Sequence, residues 1–242
     1  MNQTYPMAYE EIHFRVRQII DSLYPTGEDL FVLDAASGNG YMSEWLNERG
    51  FEVTALDKST DAWKVDSVKC CYADLNHDLE LKDNTFDLTL SIETIEHLHN
   101  PFHFIRELSR VTKHKGTLII STPNVHSIRS RLKYLFCGIP FLFEYIKEDA
   151  MGQHISPVSI GQFLYAFNME DLKIVDVFSV GRKSDIISQM VLSFLNWFTS
   201  WGTLVLKYQR RGKTDHYLNV LSRKQLKELN NNVILIVVAK KK

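Results

Sequence analysis

Residues 32–40 read Val-Leu-Asp-Ala-Ala-Ser-Gly-Asn-Gly, and this stretch decides the fold. An apolar run ends in Asp34, small residues follow, and residues 41–49 continue at helical spacing. A strand, a tight turn and a helix in this order form the first half of a β-α-β unit. Gly38 and Gly40 let the backbone approach a ligand where side chains would block it. We therefore predict a ligand-binding loop at the carboxyl end of a first strand.

The same alternation continues along the chain. Apolar runs bounded by turn residues predict strands, and apolar residues three to four positions apart predict helices. The expected fold is α/β: a doubly wound, Rossmann-like sheet of seven mostly parallel strands, with ligands at the carboxyl ends of the strands. The predicted strands are residues 30–33, 52–56, 69–73, 86–91, 116–121, 172–178 and 233–239, and the predicted helices are residues 8–23, 41–49 and 101–111.

Length and composition indicate one globular domain. The chain has 242 residues, 45% of them apolar and 24% charged, with a formal net charge of −1. We predict a single domain over residues 1–242, with a core at about 28–180, a last strand at 233–239 and a helical insertion at about 181–232. Three cysteines make no disulfide framework or zinc pair, and residues 1–11 lack an apolar run, so we expect a cytoplasmic protein.

The glycine-rich loop has two possible interpretations, which differ in the class of ligand that it binds. A dinucleotide site has a third glycine, in G-x-G-x-x-G, where this chain has Ser43, and it rarely carries a charge such as Asp34 at the strand end. An acidic residue instead follows each of three successive predicted strands, at Asp34, Asp57 and Asp74. This pattern is more specific than the glycines alone; the alternative is that all three are ordinary turn residues.

The loop is similar to motif I of the class I S-adenosylmethionine (SAM)-dependent methyltransferases, which runs apolar, acidic, x, Gly, x, Gly, x, Gly. This chain departs from the motif at Ala36, where the first glycine is usual. The resemblance implies that SAM binds at the loop, with its ribose hydroxyls on Asp57 and its adenine amino group on Asp74. The cofactor-binding positions that it implies are Asp34, Ala36, Gly38, Gly40, Asp57, Asp74, Leu75 and Ser91.

Two further motifs narrow the subgroup. Residues 93–98 read Glu-Thr-Ile-Glu-His-Leu, and residues 122–124 read Thr-Pro-Asn. Together they resemble the subgroup that contains ubiquinone-pathway O-methyltransferases, bacterial small-molecule and sugar methyltransferases, and the 2′-O-methyltransferases of small-RNA 3′ ends. The resemblance covers about residues 28–180 and identifies the fold far better than the acceptor.

Glu93, Glu96 and His97 are spaced so that a helical turn would present them together, and His154 follows 57 residues after His97. In the RNA enzymes, two glutamates and two histidines at comparable places bind a divalent metal, and such ligands suit Mg²⁺ or Mn²⁺. The sequence around His154 lacks most of the RNA enzymes' downstream motif. Two alternatives remain. His97 or His154 is a general base, with Glu93 as a third catalytic candidate, or the cluster only orients its loop.

The expected function is O-methylation of a small or lipid-linked metabolite, such as a quinone precursor or a saccharide. One rival is metal-dependent methylation of an RNA 3′-terminal 2′-hydroxyl, although nucleic acid is not the partner that we expect. Another rival is a non-catalytic regulatory subunit with a SAM fold, against which the intact Asp34, Gly38, Gly40 and Asp57 argue.

Ile186 and Leu206 bound 21 residues without a charged side chain. We predict a helix there with a large apolar face and basic flanks, standing off the cofactor core. Such a helix would lie on a membrane surface, form a homodimer contact or cover the site as a lid. Residues 125–145 are similarly apolar and are expected to wall the acceptor pocket.

Overall fold

The computed structural model describes residues 4–143, 153–181, 221–230 and 232–242. Seven strands form one sheet in the order β3-β2-β1-β4-β5-β7-β6. The strands are β1 (Phe31–Ala35), β2 (Glu52–Asp57), β3 (Cys70–Tyr72), β4 (Phe86–Ser91), β5 (Thr112–Pro123), β6 (Leu172–Val180) and β7 (Ile234–Lys241). The helices are α1 (Glu10–Leu23), α2 (Tyr41–Glu48), α3 (Pro101–Val111), α4 (Ile128–Cys137), α5 (Ile160–Met169) and α6 (Arg223–Asn230).

The pairing of the strands confirms the predicted fold class. Strands β3, β2, β1, β4 and β5 run parallel, and β7 is antiparallel to both β5 and β6. The strand order reverses between β1 and β4, where the connections diverge and open a crevice at the carboxyl ends of the strands. The loop after β1 and the turn after β4 therefore meet at the same edge of the sheet.

Alternate side chains of the strands enter two separate apolar cores. Leu33 lies in the core that α3, α5 and α6 cover, whereas Val32 lies in the core that α1 and α2 cover. Successive strand residues point to opposite faces, so helices pack on both sides of the sheet. The cores are completed from the helices by residues such as Phe104, Leu108 and Phe163 on one face and Val16, Ile20 and Leu46 on the other.

Several element boundaries differ from the prediction. Strand β5 begins at Thr112 rather than at residue 116, because Thr112 pairs with Phe86 before a bulge that carries Lys115 at φ 65°. Because the residues of this bulge are polar, apolar periodicity did not predict that the strand begins at Thr112. Asp34 lies within β1 rather than after it, since it still pairs with Ala55 and Leu90.

Part of the predicted insertion belongs to the core. Helix α6 lies within residues 181–232, and its Leu226 and Leu229 pack against the core of α3 and α5. The helix predicted between Ile186 and Leu206, together with its basic flanks, lies outside the described residues, so its membrane, dimer or lid role stays a prediction. Within the described ranges, no helix is both long and apolar enough to cross a membrane.

Asn124 ties the end of β5 to the chain that enters β7. Its side chain is 2% exposed, and its Nδ2 donates to the carbonyls of Leu229, at 3.1 Å, and Asn232, at 2.8 Å. Its Oδ1 accepts from the amide of His126 at 3.0 Å. Asn124, the last residue of the Thr-Pro-Asn motif, therefore stabilises the fold.

We predict that Asn124→Ala lowers the free energy of unfolding by about 2–3 kcal/mol, because three backbone groups lose their partner. Urea unfolding measures this change. Asn100→Ala is the matched control: Asn100 caps α3 through one bond from the His103 amide, and its loss should cost about 1 kcal/mol. Equal losses in the two variants would show that Asn124 is not an anchor.

Candidate functional site

The loop after β1 is built from residues in the left-handed region. Ala36, Gly38 and Gly40 have φ of 68°, 58° and 93°. The positive φ favours glycine at both positions. A Cβ on Gly40 would also overlap Val65 and the Trp63 ring, whereas a Cβ on Gly38 would meet the flexible end of the Met7 side chain. Ala36 adopts its conformation at a cost of roughly 1–2 kcal/mol that the usual glycine would avoid.

Asp57, at the end of β2, holds this loop from the neighbouring strand. Its Oδ2 accepts from the amide of Gly38 at 2.7 Å, and its Oδ1 accepts from the amide of Ser59 at 2.8 Å. Each carboxylate oxygen can accept a further hydrogen bond. The arrangement therefore fits a contact with two ribose hydroxyls. That contact remains a prediction.

Asp34 places a buried carboxyl group beside the loop. It is 2% exposed, and its Oδ2 accepts from Ser43 Oγ at 2.6 Å. Burial raises the pKa of Asp34 to about 6, against the opposing effect of the Ser43 hydrogen bond. The group is therefore largely ionised at pH 7. It lines a cavity of about 50 Å³ together with Ala36, Gly38 and Ile92, next to the fully buried Ser91 at the end of β4.

Asp74, after β3, is occupied by local contacts. Its Oδ1 accepts from the Asn76 amide at 3.1 Å, and its Oδ2 lies 3.0 Å from Lys58 Nζ. The Asn76 amide and then Lys58 lower the pKa of Asp74 to about 2. Asp74 thus does form a turn of the kind considered as the alternative, while the next residue, Leu75, is buried in a core. Its contact with adenine stays a prediction.

The turn after β4 differs from the predicted helical turn. The observed 3₁₀ turn, Ile95–His97, carries Glu96 and His97 but not Glu93. Glu93 has φ 49°, and its amide donates to Ser121 Oγ at 3.0 Å, while that hydroxyl donates to Glu93 Oε1 at 3.1 Å. The left-handed backbone turns the chain sharply at the end of β4. Glu93 therefore precedes the 3₁₀ turn, although its carboxyl group is still close enough to Glu96 to affect its charge.

The backbone carbonyl of Glu96 anchors a distant loop. It accepts from the amides of Ile155 and Ser156 at 2.8 and 2.9 Å. Ser156 Oγ also donates to the carbonyl of Leu98 at 2.6 Å. These bonds fix residues 153–156 on the 3₁₀ turn, although they lie more than 50 positions later in the chain.

This docking brings the two predicted histidines together. The ring centroids of His97 and His154 are 4.7 Å apart, in an edge-to-face arrangement. His97 Nδ1 lies 2.9 Å from the carbonyl oxygen of Gln153. Because a carbonyl can only accept, the proton is assigned to Nδ1, and Nε2 of neutral His97 keeps a lone pair. That nitrogen is able to accept a proton or bind a metal.

Glu96 completes the group. One ligand atom each from Glu96, His97 and His154 lie within 4.8 Å of one another, and Glu93 is not among them. Glu96 is fully buried; its Oε2 accepts from Thr122 Oγ1 at 3.1 Å, and its Oε1 has no hydrogen-bond partner in the described part of the chain. Burial, and then the charge of Glu93, raises the pKa of Glu96 well above its ordinary value. Burial also raises the pKa of Glu93 to about 7.

Sequence reasoning missed the hydroxyls that hold the two glutamates. Ser121 and Thr122 follow one another at the end of β5, and each bonds to one glutamate of the β4 turn. The sequence signal for the second of these hydroxyls was Thr122, the first residue of the Thr-Pro-Asn motif. Strand β4 is the parallel neighbour of β5 and ends at the same edge of the sheet, so Thr122 and Glu96 meet there.

We predict that the Glu96→Gln protein is more stable than the parent at pH 8, while the two are nearly equal at pH 4, below the ordinary glutamate pKa of 4.5. A carboxyl with a raised pKa stabilises the fold below its unfolded pKa of 4.5, and this stability is lost as the pH rises through the raised value. Glutamine does not titrate. Chemical unfolding across this pH range measures the difference.

Glu107→Gln is the control, because its effect on stability at pH 8 should be opposite to that of Glu96→Gln. Glu107 is 5% exposed, and its hydrogen bond with Arg110 lowers its pKa, so its contribution is present above the unfolded pKa. That variant should lose stability at pH 8 relative to the parent. A Glu96→Gln curve parallel to the parent's would mean that Glu96 does not titrate as the burial requires.

Comparison with known proteins agrees with this geometry. The methyltransferase-domain family matches residues 33–120. A ubiquinone biosynthesis O-methyltransferase of Rickettsia prowazekii is 32% identical over 174 residues, which cover 65% of this chain and 67% of that protein. The protein of the same name from Rickettsia typhi is 32% identical over 144 residues, or 55% of this chain and 56% of that one. The chain thus spans between about half and two thirds of the length of these relatives.

A solved structure supports the fold independently. The SAM-dependent methyltransferase of Mesorhizobium loti superposes with a TM-score of 0.56 at 16% identity, over 93% of this chain and 96% of that chain. At this identity the likeness concerns the fold alone. The glycine loop after β1, the carboxylates of the first two strands and the Rickettsia prowazekii match together show that the chain belongs to the class I SAM-dependent methyltransferases.

Proposed function

We propose that the chain transfers a methyl group from SAM to a hydroxyl group of a small or lipid-linked metabolite. One observation carries the proposal: the turn after β4 follows a strand that ends at the same sheet edge as the cofactor loop, and the hydrogen bond of His97 Nδ1 to the Gln153 carbonyl leaves Nε2 with a lone pair. A proton acceptor beside a methyl donor is what a hydroxyl acceptor requires. The same geometry argues against a purely regulatory subunit.

The residues present fit the cofactor. Gly38 and Gly40 keep the loop backbone in the left-handed conformation, and Asp57 retains lone pairs for two hydroxyls. SAM, when bound, supplies a methyl group on a positively charged sulfur. Asp57 and Asp34 hold the ribose and the amino-acid end, and their fixed positions align the methyl group with the acceptor. Alignment of this kind is worth about 7–11 kcal/mol of the barrier.

The chain's histidines would manage the proton. His97 Nε2 accepts the proton of the acceptor hydroxyl as its oxygen attacks, and the Gln153 carbonyl stabilises the imidazolium through Nδ1. His154, at 4.7 Å between ring centroids, is the second candidate for this role. Glu93 is the third catalytic candidate, and its hydrogen bond with Ser121 favours a positioning role.

A second cavity is the candidate for the acceptor. A cavity of about 410 Å³ lies between α4 and the loop that carries His154, a size typical of small-molecule sites. It supports the expectation that residues 125–145 wall the acceptor. Its lining is mostly apolar and suits a ring or a prenyl chain, in keeping with the ubiquinone-pathway relatives; it consists of Val125, Ser130, Arg131, Tyr134, Leu135, Pro140 and Pro157.

A second candidate function is metal-assisted methyl transfer to a ribose hydroxyl, as at an RNA 3′ end. The observation that favours it is the convergence of Glu96, His97 and His154, whose ligand atoms lie within 4.8 Å. Glu96 Oε1 and His97 Nε2 would hold a divalent ion, which polarises a hydroxyl. An ion would also allow the buried Glu96 to ionise at neutral pH.

We predict that Asp57→Ala weakens SAM binding by roughly 1.5–3 kcal/mol, because a charged acceptor for two hydroxyls is lost. Isothermal titration calorimetry measures the change. Asp61→Ala removes an exposed carboxylate of the same connection and serves as the control. Unchanged SAM affinity in Asp57→Ala, or tight NAD binding by the parent, would overturn the cofactor assignment.

Activity should distinguish the two proposed mechanisms. We predict that His97→Gln lowers kcat by about 10²–10⁴, measured as S-adenosylhomocysteine release with a panel of catechols, quinols and saccharides, and that EDTA leaves the parent rate unchanged. His114→Gln, at an exposed histidine of β5, is the control. Turnover that EDTA abolishes and Mn²⁺ restores would replace the general-base mechanism with the metal-assisted one.

A further inference from the structure

His13 of α1 is a buried histidine that the fold does not use. It is 7% exposed, and neither ring nitrogen has a hydrogen-bond partner in the part of the chain that the structure describes. Burial of unpaired polar atoms is destabilising, so an unpaired buried imidazole needs an explanation outside the fold. The ring lines the same cavity as Asp34, Ala36 and Gly38 of the cofactor site.

Positive charge lies near His13, from the Arg17 side chain and from the beginning of α2. The His13 ring packs edge-on against Tyr41, with centroids 5.1 Å apart, and the Arg17 guanidinium lies 4.4 Å from the centre of the Tyr41 ring. Tyr41 is the first residue of α2, so the positive end of that helix is adjacent. Burial, and then the Arg17 charge, lowers the pKa of His13 to about 4. At pH 7 His13 is therefore a neutral ring with one N–H donor.

The two charged ends of an amino acid suit two groups that line this cavity, Asp34 and His13. Asp34 supplies negative charge and attracts an ammonium group. The surroundings of His13, with Arg17 and the beginning of α2, attract a carboxylate instead. We propose that His13 donates a hydrogen bond to the carboxylate at the amino-acid end of the cofactor. This inference rests on the SAM site above and adds a binding residue from outside the glycine loop.

The test uses two variants and three ligands. His13→Phe keeps a ring against Tyr41 but removes both nitrogens, and His13→Gln returns an N–H donor. S-Adenosylhomocysteine has the complete amino-acid end, decarboxylated SAM lacks only the carboxylate, and 5′-methylthioadenosine lacks both groups. Calorimetry on the full chain gives the affinities, and His114→Phe controls for an exposed histidine.

We expect His13→Phe to bind S-adenosylhomocysteine about ten- to a hundredfold more weakly, as for a lost hydrogen bond to a charged group. Its affinities for decarboxylated SAM and 5′-methylthioadenosine should change less than about twofold. His13→Gln should recover part of the loss. The melting temperature of His13→Phe should equal or exceed the parent's, because the substitution removes unpaired buried nitrogens.

Other outcomes overturn the proposal. Equal losses for all three ligands would show that His13 only supports the shape of the site. A loss that persists with decarboxylated SAM would assign the contact to the ammonium group. If none of the three ligands binds the parent or the control, the cofactor assignment itself fails, and the proposal fails with it.

Discussion

Two amide hydrogen bonds to one carbonyl oxygen assemble the histidine pair of the candidate site. The Glu96 carbonyl accepts from Ile155 and Ser156 and so places His154 against His97. The larger cavity borders the same loop, since Pro157 of its lining follows Ser156. The carbonyl is itself positioned because β4 and β5 end side by side, where Ser121 and Thr122 hold the glutamates. The parallel sheet thus brings residues from distant parts of the chain to one edge.

Several energetically unfavourable features lie at that edge. Ala36 and Glu93 adopt left-handed backbone, Glu96 is a fully buried carboxyl group, and His13 is buried with no hydrogen-bond partner for either ring nitrogen among the described residues. Each is destabilising by itself, and the two apolar cores that flank the sheet offset them. Buried titratable groups of this kind are typical of functional sites, which agrees with the proposed role of this edge.

The sequence was sufficient for the sheet and for the cofactor loop, because apolar periodicity and the glycine spacing are local signals. It placed Asp34, Asp57 and Asp74 at the ends of successive strands, and it named His97 and His154 as members of one candidate cluster. It did not show that Glu93 lies before the 3₁₀ turn, since the spacing fits a helical turn. Nor could it reveal His13, because a lone histidine on an amphipathic helix shows no sign of the cavity that it faces. The bulge of β5 and the anchoring by Asn124 likewise depend on contacts with distant strands.

A crystal structure of the complex with S-adenosylhomocysteine tests the central claim most directly, because it fixes both ends of the ligand against the sheet edge. The account predicts ribose hydroxyls on Asp57, the amino-acid end between Asp34 and His13, and the sulfur facing His97 and His154. A ligand whose sulfur points away from the two histidines, or one bound elsewhere on the chain, would contradict it.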